Sequence, residues 1–233
     1  EEVAAGLRSQ GLAVSTEVDF GRPHHAIVSR AREGGYSLLA MATRGRGMVA
    51  GPVLGSTVAR VLPESPVPVL TVRPVRRQRL WSAPSRMARV EVPLDGSDLA
   101  ETALGPAREV ASRLKLPLSL LQVLPVSVTV PLGSGTGMLW DAASSYQRQL
   151  DVLASSYVAS VGRRLMEAGL QVEWDVVGGP VVDAIIDWAG RDGPSLIVMA
   201  THGRSGLARW LGSITEGVVR RSHLPVLVVP PRQ

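Results

Sequence analysis

Seven residues near one end of the chain, Ser37-Leu38-Leu39-Ala40-Met41-Ala42-Thr43, return 158 positions later as Ser195-Leu196-Ile197-Val198-Met199-Ala200-Thr201. Gly11-Leu12-Ala13-Val14 returns at the same offset as Gly169-Leu170-Gln171-Val172, Gly55-Ser56 matches Gly212-Ser213, and 66–72 matches 224–229. A near-constant offset across four separate stretches marks a duplicated structural unit, so the chain must be built from two related halves.

The second half is the fuller one, and it alternates short apolar runs with stretches of helical spacing. That alternation predicts parallel βα units. Strands are expected at 90–94, 118–123, 172–177, 196–199 and 226–229. The run 196–199 is apolar without interruption, as expected of a strand buried on both faces in the middle of a parallel sheet. Asp95-Gly96-Ser97 ends the first strand, and Asp98-Leu99-Ala100-Glu101 has capping-box spacing for a helix running to about residue 114 and kinked at Pro106. A long helix is expected from about residue 141. Its Tyr146, Leu150, Leu153, Tyr157, Val161 and Leu165 keep one face, which reads as packing surface, and Gly169 is placed to stop it. A helix carrying Val182, Ile185, Ile186 and Ala189 follows the third strand, and another, over 215–221, precedes the fifth.

Composition narrows the function classes. With 233 residues and 45% hydrophobic side chains there is enough apolar surface for one or two cores. The longest apolar candidate, 116–132, is broken by Pro117, Pro125 and Pro131, so no membrane partner is expected. The absence of cysteine excludes disulfide frameworks and Cys-based zinc sites, and makes a cytoplasmic location the expectation. The net charge of +5 is almost all arginine, Lys115 being the sole lysine. Arg73, Arg76, Arg77, Arg79, Arg86 and Arg89 gather in a segment with few apolar residues, which reads as a solvated linker. With only Trp81 nearby as a stacking platform, nucleic acid is not the expected partner. His24-His25 reads as a pair of surface histidines rather than a metal site, because adjacent helical residues point about 100° apart.

One stretch carries chemistry that can be recognised. After the fourth strand of the second copy comes Ala200-Thr201-His202-Gly203-Arg204-Ser205-Gly206-Leu207-Ala208-Arg209-Trp210-Leu211-Gly212-Ser213-Ile214-Thr215. Glycines there let backbone N–H groups approach an anion, and the following helix N-terminus adds a favourable dipole. Together with Asp95-Gly96-Ser97 and the closing Leu224-Pro225-Val226-Leu227-Val228-Val229, this stretch resembles the universal stress protein family. The resemblance divides the chain into a partial domain over 1–74, an Arg-rich linker over 75–88 and a complete domain over 89–233. It implies an α/β, Rossmann-like fold of the adenine nucleotide alpha hydrolase type: a doubly wound, five-stranded parallel sheet of order 3-2-1-4-5, here tandem duplicated.

The nucleotide-binding members of that family carry Gly, two residues, Gly, nine residues, then Gly followed by Ser or Thr. Copy one has Ala42, two residues, Gly45, nine residues, then Gly55-Ser56; copy two has Ala200, two residues, Gly203, eight residues, then Gly212-Ser213. Both begin with Ala, and copy two is one residue short, which is expected to shift Gly212 and Ser213 relative to a phosphate. Carried onto matching positions, the resemblance implies that Pro93, Asp95 and Val123 line an adenine and ribose pocket, with Met199 and Ala200 beside the nucleotide. Gly203, Arg204, Gly212, Ser213 and Ile214 would meet the phosphates. Asp95 reads equally as a turn or capping carboxylate, and the glycines as a structural turn. The implied ligand is ATP, or AMP or ADP, with Mg2+ accompanying ATP.

The implied role is stress response or signalling by binding and conformational coupling, with no assigned catalytic residue and at most weak ATPase activity or autophosphorylation. The alternative is a dimerisation or interaction module of the same family that binds no nucleotide. A hydrolytic triad of Asp95, His202 and Ser213 is disfavoured because copy one has Arg44 where copy two has His202. An adenylating or pyrophosphatase enzyme of related fold is disfavoured too, since the Ser-Gly-Gly-x-Asp-Ser loop such enzymes carry after strand one is absent.

Copy one starts inside the helix before its third strand. Its expected strands over 14–20 and 38–41 would lack the two strands that separate them in the family order, leaving backbone groups unpaired. The expectation is therefore that the native polypeptide starts earlier, by about 75 residues judged from copy two, and that only copy two forms an adenine pocket. The apolar fifth strands would be a liability if bare, so they are expected to pair with each other, within one chain or across a homodimer.

Overall fold

The computed structural model describes residues 2–44, 53–73, 87–125, 137–193, 195–201 and 211–231, with side chains of the long helix described from residue 145 onward. The half-copy supplies α1 (Glu2–Arg8), α2 (Pro23–Glu33), β1 (Leu39–Ala42), α3 (Ser56–Glu64) and β2 (Val69–Val72). The full copy supplies β3 (Val90–Leu94), α4 (Asp98–Glu101), α5 (Leu104–Leu114), β4 (Leu118–Leu124), α6 (Gly137–Glu167), β5 (Val172–Gly178), α7 (Val181–Gly190), β6 (Leu196–Ala200), α8 (Ser213–Arg221) and β7 (Val226–Val229).

All seven strands form one sheet in the order β1-β2-β7-β6-β3-β4-β5. Within the full copy the order is the expected 3-2-1-4-5, and every pairing is parallel. The only antiparallel contact among the described strands joins β2 to β7, with Leu70 opposite Leu227 and Thr71 opposite Val226. Thr71 Oγ1 also donates to the Val226 carbonyl at 3.1 Å. The two fifth strands thus cover each other's edges inside one chain and fuse the half-copy to the full copy.

Side-chain alternation sorts the core into two layers. On one face Val61, Leu62 and Val69 of the half-copy pack with Leu121, Ile185, Ile197, Val218 and Val228, so α2, α3, α7 and α8 share one apolar layer across both copies. On the other, Val90, Val92, Leu118, Leu120, Val198 and Leu227 meet Ala103 at the N-cap of α5, Ala107 and Ala111 within it, and Val161 of α6. The small alanines let α5 lie close to the sheet, as packing at crystal-like density requires. Among the described residues the half-copy has no counterpart of α5 or α6, and Ala40 and Ala42 of β1 are exposed on that side.

Several local expectations are corrected. Residues 14–20 form no strand; Val18 and Phe20 lie 86% and 90% exposed. A strand needs a neighbour for its backbone groups, and none of the described strands pairs with this segment. The helix expected over 98–114 is two helices. Pro106 lacks an N–H, and its ring would collide with the carbonyl four residues back, at Thr102; the chain breaks there instead, with Thr102 and Ala103 N–H donating to Leu99 and Ala100 carbonyls. The cap of α4 is Ser97 rather than Asp98, its Oγ accepting from Ala100 N–H at 3.1 Å. Arg89 is buried rather than solvated. It donates to Glu173 and Asp192 at 3.0 Å each and to the Trp188 carbonyl at 2.9 Å. Arg76, Arg77, Arg79 and Arg86 lie outside the described residues. His24 is buried while His25 is not, and burial together with the neighbouring His25 holds the His24 imidazole below its ordinary pKa. Gly169, at φ +85°, ends α6 as expected. Among the described residues no helix is long and apolar enough to cross a membrane.

Candidate functional site

From β3 the chain crosses to β4 on one side, while β6 lies on β3's other side and leads on to β7. A crevice opens outside the carboxyl ends of strands where the winding reverses in this way, because the connecting segments leave in opposite directions. Between the ends of β3 and β6 lies a cavity of about 590 Å³, within the range of small-molecule sites.

The end of β3 supplies Pro93, Leu94, Asp95 and Gly96, and the end of β4 supplies Gln122 and Val123. Met199 and Ala200 of β6 form the opposite wall with Gly212, Ser213 and Ile214 at the start of α8. Eight of the ten residues carried over from the family pattern therefore line one cavity: Pro93, Asp95, Val123, Met199, Ala200, Gly212, Ser213 and Ile214. Gly203 and Arg204 lie outside the described residues, as does His202.

Asp95 is fixed before any ligand arrives. Its Oδ1 accepts from Ser97 N–H at 3.0 Å and from Ser97 Oγ at 2.6 Å. Gly96, at φ +84°, makes the turn that folds Ser97 back onto the carboxylate, a conformation that disfavours a side chain. Ser97 thus caps α4 and clamps Asp95 at once. Of the two roles read for Asp95 from the sequence, the turn carboxylate is present while the cap belongs to Ser97, and Asp95 also lines the cavity.

The glycines that start α3 and α8 are held alike in the two copies. Gly212 adopts φ −58° and ψ 141°, and Gly55 in the half-copy adopts φ −64° and ψ 141°. Gly212 N–H donates to the Thr201 carbonyl at 2.8 Å, as Gly55 N–H does to Thr43 at 2.9 Å. Both copies therefore tie the strand end to the helix start in the same way, while the shortened loop over 202–210 lies outside the described residues. Thr215 Oγ1 donates to the Ala200 carbonyl at 2.8 Å and holds the same junction from inside.

The α6 face read as packing is only partly that. Val161 is buried against the sheet, but Leu150, Leu153, Ala154 and Tyr157 line the cavity. Tyr146 stands exposed. Tyr157 OH donates to Glu101 Oε1 at 3.0 Å while Arg164 pairs with Glu101 Oε2 at 2.9 Å, tying α4 to α6. Burial, then the Glu101 charge, raises the Tyr157 phenol well above its usual pKa, so it stays a protonated donor. Gln122 was not singled out in the sequence. Its signal was there, as a single amide within the apolar run 118–124.

With the cavity described, comparison with known proteins gives its lineage. The sequence model of the universal stress protein family matches residues 1–73 and 87–230. The chain belongs to the universal stress protein family. Universal stress protein MJ0531 of Methanocaldococcus jannaschii is 30% identical over 142 residues, covering 60% of this chain and 81% of that protein. A universal stress protein of Mycolicibacterium smegmatis is 24% identical over 234 residues, 96% of this chain and 71% of its own length. Among solved structures, PA1789 of Pseudomonas aeruginosa, described as functionally unknown, shares the fold at a TM-score of 0.65 and 19% identity, covering 99% of this chain and 76% of that one. The universal stress protein fold here is thus one seven-stranded sheet made from a full set of five strands and two strands of a second set.

Proposed function

We propose that this universal stress protein binds one adenine nucleotide, ATP first and ADP or AMP with it, in the cavity of its full copy. On this reading it acts in stress response or signalling, in the cytoplasm, through binding and coupled shape change rather than turnover. The observation that carries the reading is the meeting, in one 590 Å³ cavity at the strand-order reversal, of a clamped carboxylate, an apolar slot and a helix N-terminus. Asp95 suits ribose hydroxyls, Pro93, Val123 and Met199 suit a flat base, and the start of α8 suits phosphate.

Mg2+ would arrive with the triphosphate. Among the described residues no group of three or more His, Cys, Asp or Glu side chains is arranged to hold a metal, and magnesium in nucleotide sites takes much of its coordination from phosphate oxygens and water. The alternative, an interaction module without nucleotide, draws support from Ala200 standing where the family's nucleotide-binding pattern has glycine.

Denaturing the purified protein and weighing what it releases separates the two. Release of ATP, ADP or AMP at up to one per chain is the expected result. A chain that releases none, and whose thermal unfolding ATP does not shift, supports the interaction module.

A further inference from the structure

α4 is a single turn, Asp98–Glu101, and one turn of helix does not hold itself in water. It is fixed from both ends. At its start Ser97 Oγ accepts from Ala100 N–H at 3.1 Å while donating to Asp95 Oδ1 at 2.6 Å, so the turn and the cavity carboxylate share one hydroxyl. At its end Glu101 offers both carboxylate oxygens to α6, Oε1 accepting from Tyr157 OH at 3.0 Å and Oε2 from Arg164 Nη2 at 2.9 Å.

These bonds run without a break from Asp95 through Ser97 and α4 to α6. The two ends of the line are also close in space, because the charge of Asp95 reaches the Tyr157 phenol that burial and Glu101 already keep protonated. Asp95, Ala100 and Tyr157 line the cavity, and Glu101 does not. Removing its carboxylate therefore takes no atom from the cavity wall, but it frees the far end of the turn that carries the Ser97 clamp. A binding group works only when neighbouring side chains hold it to within about 0.5 Å of its place.

We propose that Glu101 is a positioning residue: by tying α4 to Tyr157 and Arg164 it sets the place of Asp95, and with it the preference of the site for a ligand that carries ribose hydroxyls. The proposal rests on the adenine-nucleotide reading above, in which Asp95 meets the ribose, and adds to it a residue outside the cavity. A residue that served folding alone would lower affinity for every ligand of the cavity alike. A positioning residue lowers it for the ligands that use Asp95.

The test measures, by calorimetric titration, the binding of ATP and of 2′,3′-dideoxy-ATP, which lacks both ribose hydroxyls, to the wild type and to Glu101→Ala. The wild type is expected to bind ATP about tenfold or more tightly than the dideoxy analogue. In Glu101→Ala that ratio should shrink by about threefold or more, with the affinity for the analogue within about twofold of the wild type. If Glu101→Ala does not fold, Tyr157→Phe takes its place: it keeps the ring in the cavity wall, removes the hydroxyl, and should shrink the ratio in the same sense. A variant with the wild-type ratio, including one that weakens both ligands equally, overturns the positioning role and leaves the nucleotide reading intact. A wild type that binds the two equally overturns it as well, since Asp95 then meets no ribose hydroxyl. A wild type that binds neither overturns the nucleotide reading and this proposal together.

Discussion

Glu91 lies in the centre of the sheet, fully buried on β3, opposite Ser119 of β4 and Ile197 of β6. Among the described residues neither of its carboxylate oxygens has a hydrogen-bond partner. Burial pushes its carboxyl up to about 8 from the ordinary 4.5; Arg89 opposes this and Glu173 adds to it. The sign of the consequence is fixed by where the proton sits. Below pH 4.5 both folded and unfolded carboxyls are protonated and the group makes no difference. Above it the unfolded chain ionises while the native one holds its proton, so stability falls by about 1.4 kcal/mol per pH unit up to about pH 8. There the native group ionises too and the loss levels off at about 5 kcal/mol.

Glu91→Gln removes this dependence while keeping the shape of the neutral acid. The variant is expected to gain on the wild type by about 3 kcal/mol between pH 4.5 and pH 7, and by more at pH 8.5. Any fixed cost of the buried amide is the same at every pH and drops out of that difference. Urea unfolding of both proteins at pH 5, 7 and 8.5 reads it directly. A stability difference that does not change with pH would refute the buried, neutral carboxyl.

Two further perturbations probe the frame that holds the cavity. Leu227→Ala removes a buried side chain opposite Leu70 in the β2–β7 pairing and should cost about 2–5 kcal/mol in urea unfolding; a loss below about 1 kcal/mol would mean that this seam does not hold the copies together. Gly162→Ala drives a methyl into the Trp174 ring, and the expected clash of about 1–3 kcal/mol outweighs the gain of about 1 kcal/mol in helix propensity, so the melting temperature should drop. A higher melting temperature would show that the indole can swing aside.

The parts of the fold that the sequence made legible are those fixed by apolar continuity. The fifth strand of the full copy falls on the expected residues, 226–229, because an unbroken apolar run between turn residues leaves a buried strand little latitude, and the first falls on 90–94 although Glu91 interrupts its apolar run. The edge pairing followed from the same runs, since an apolar fifth strand needs a cover. Residues 14–20 misled because their β-favouring side chains say nothing about whether a partner strand is present. Ser97 and Asp98 compete for one cap, and spacing alone could not choose between them. The α6 stripe shows why core and cavity wall look alike in sequence: Leu150 and Val161 share one periodic face, yet only the sheet beneath them decides which meets protein and which meets open space. Arg89 reads as one more linker arginine until Glu173 and Asp192, more than eighty residues away, are folded around it.

Calorimetric titration with ATP decides whether the full copy takes up one adenine nucleotide against Asp95. Saturation at one site per chain is expected, with Asp95→Ala weakened by about 1.5–3 kcal/mol, the range for a hydrogen bond to a charged group. Two equivalent sites, no saturable heat, or an Asp95→Ala variant that binds as the wild type does would contradict it.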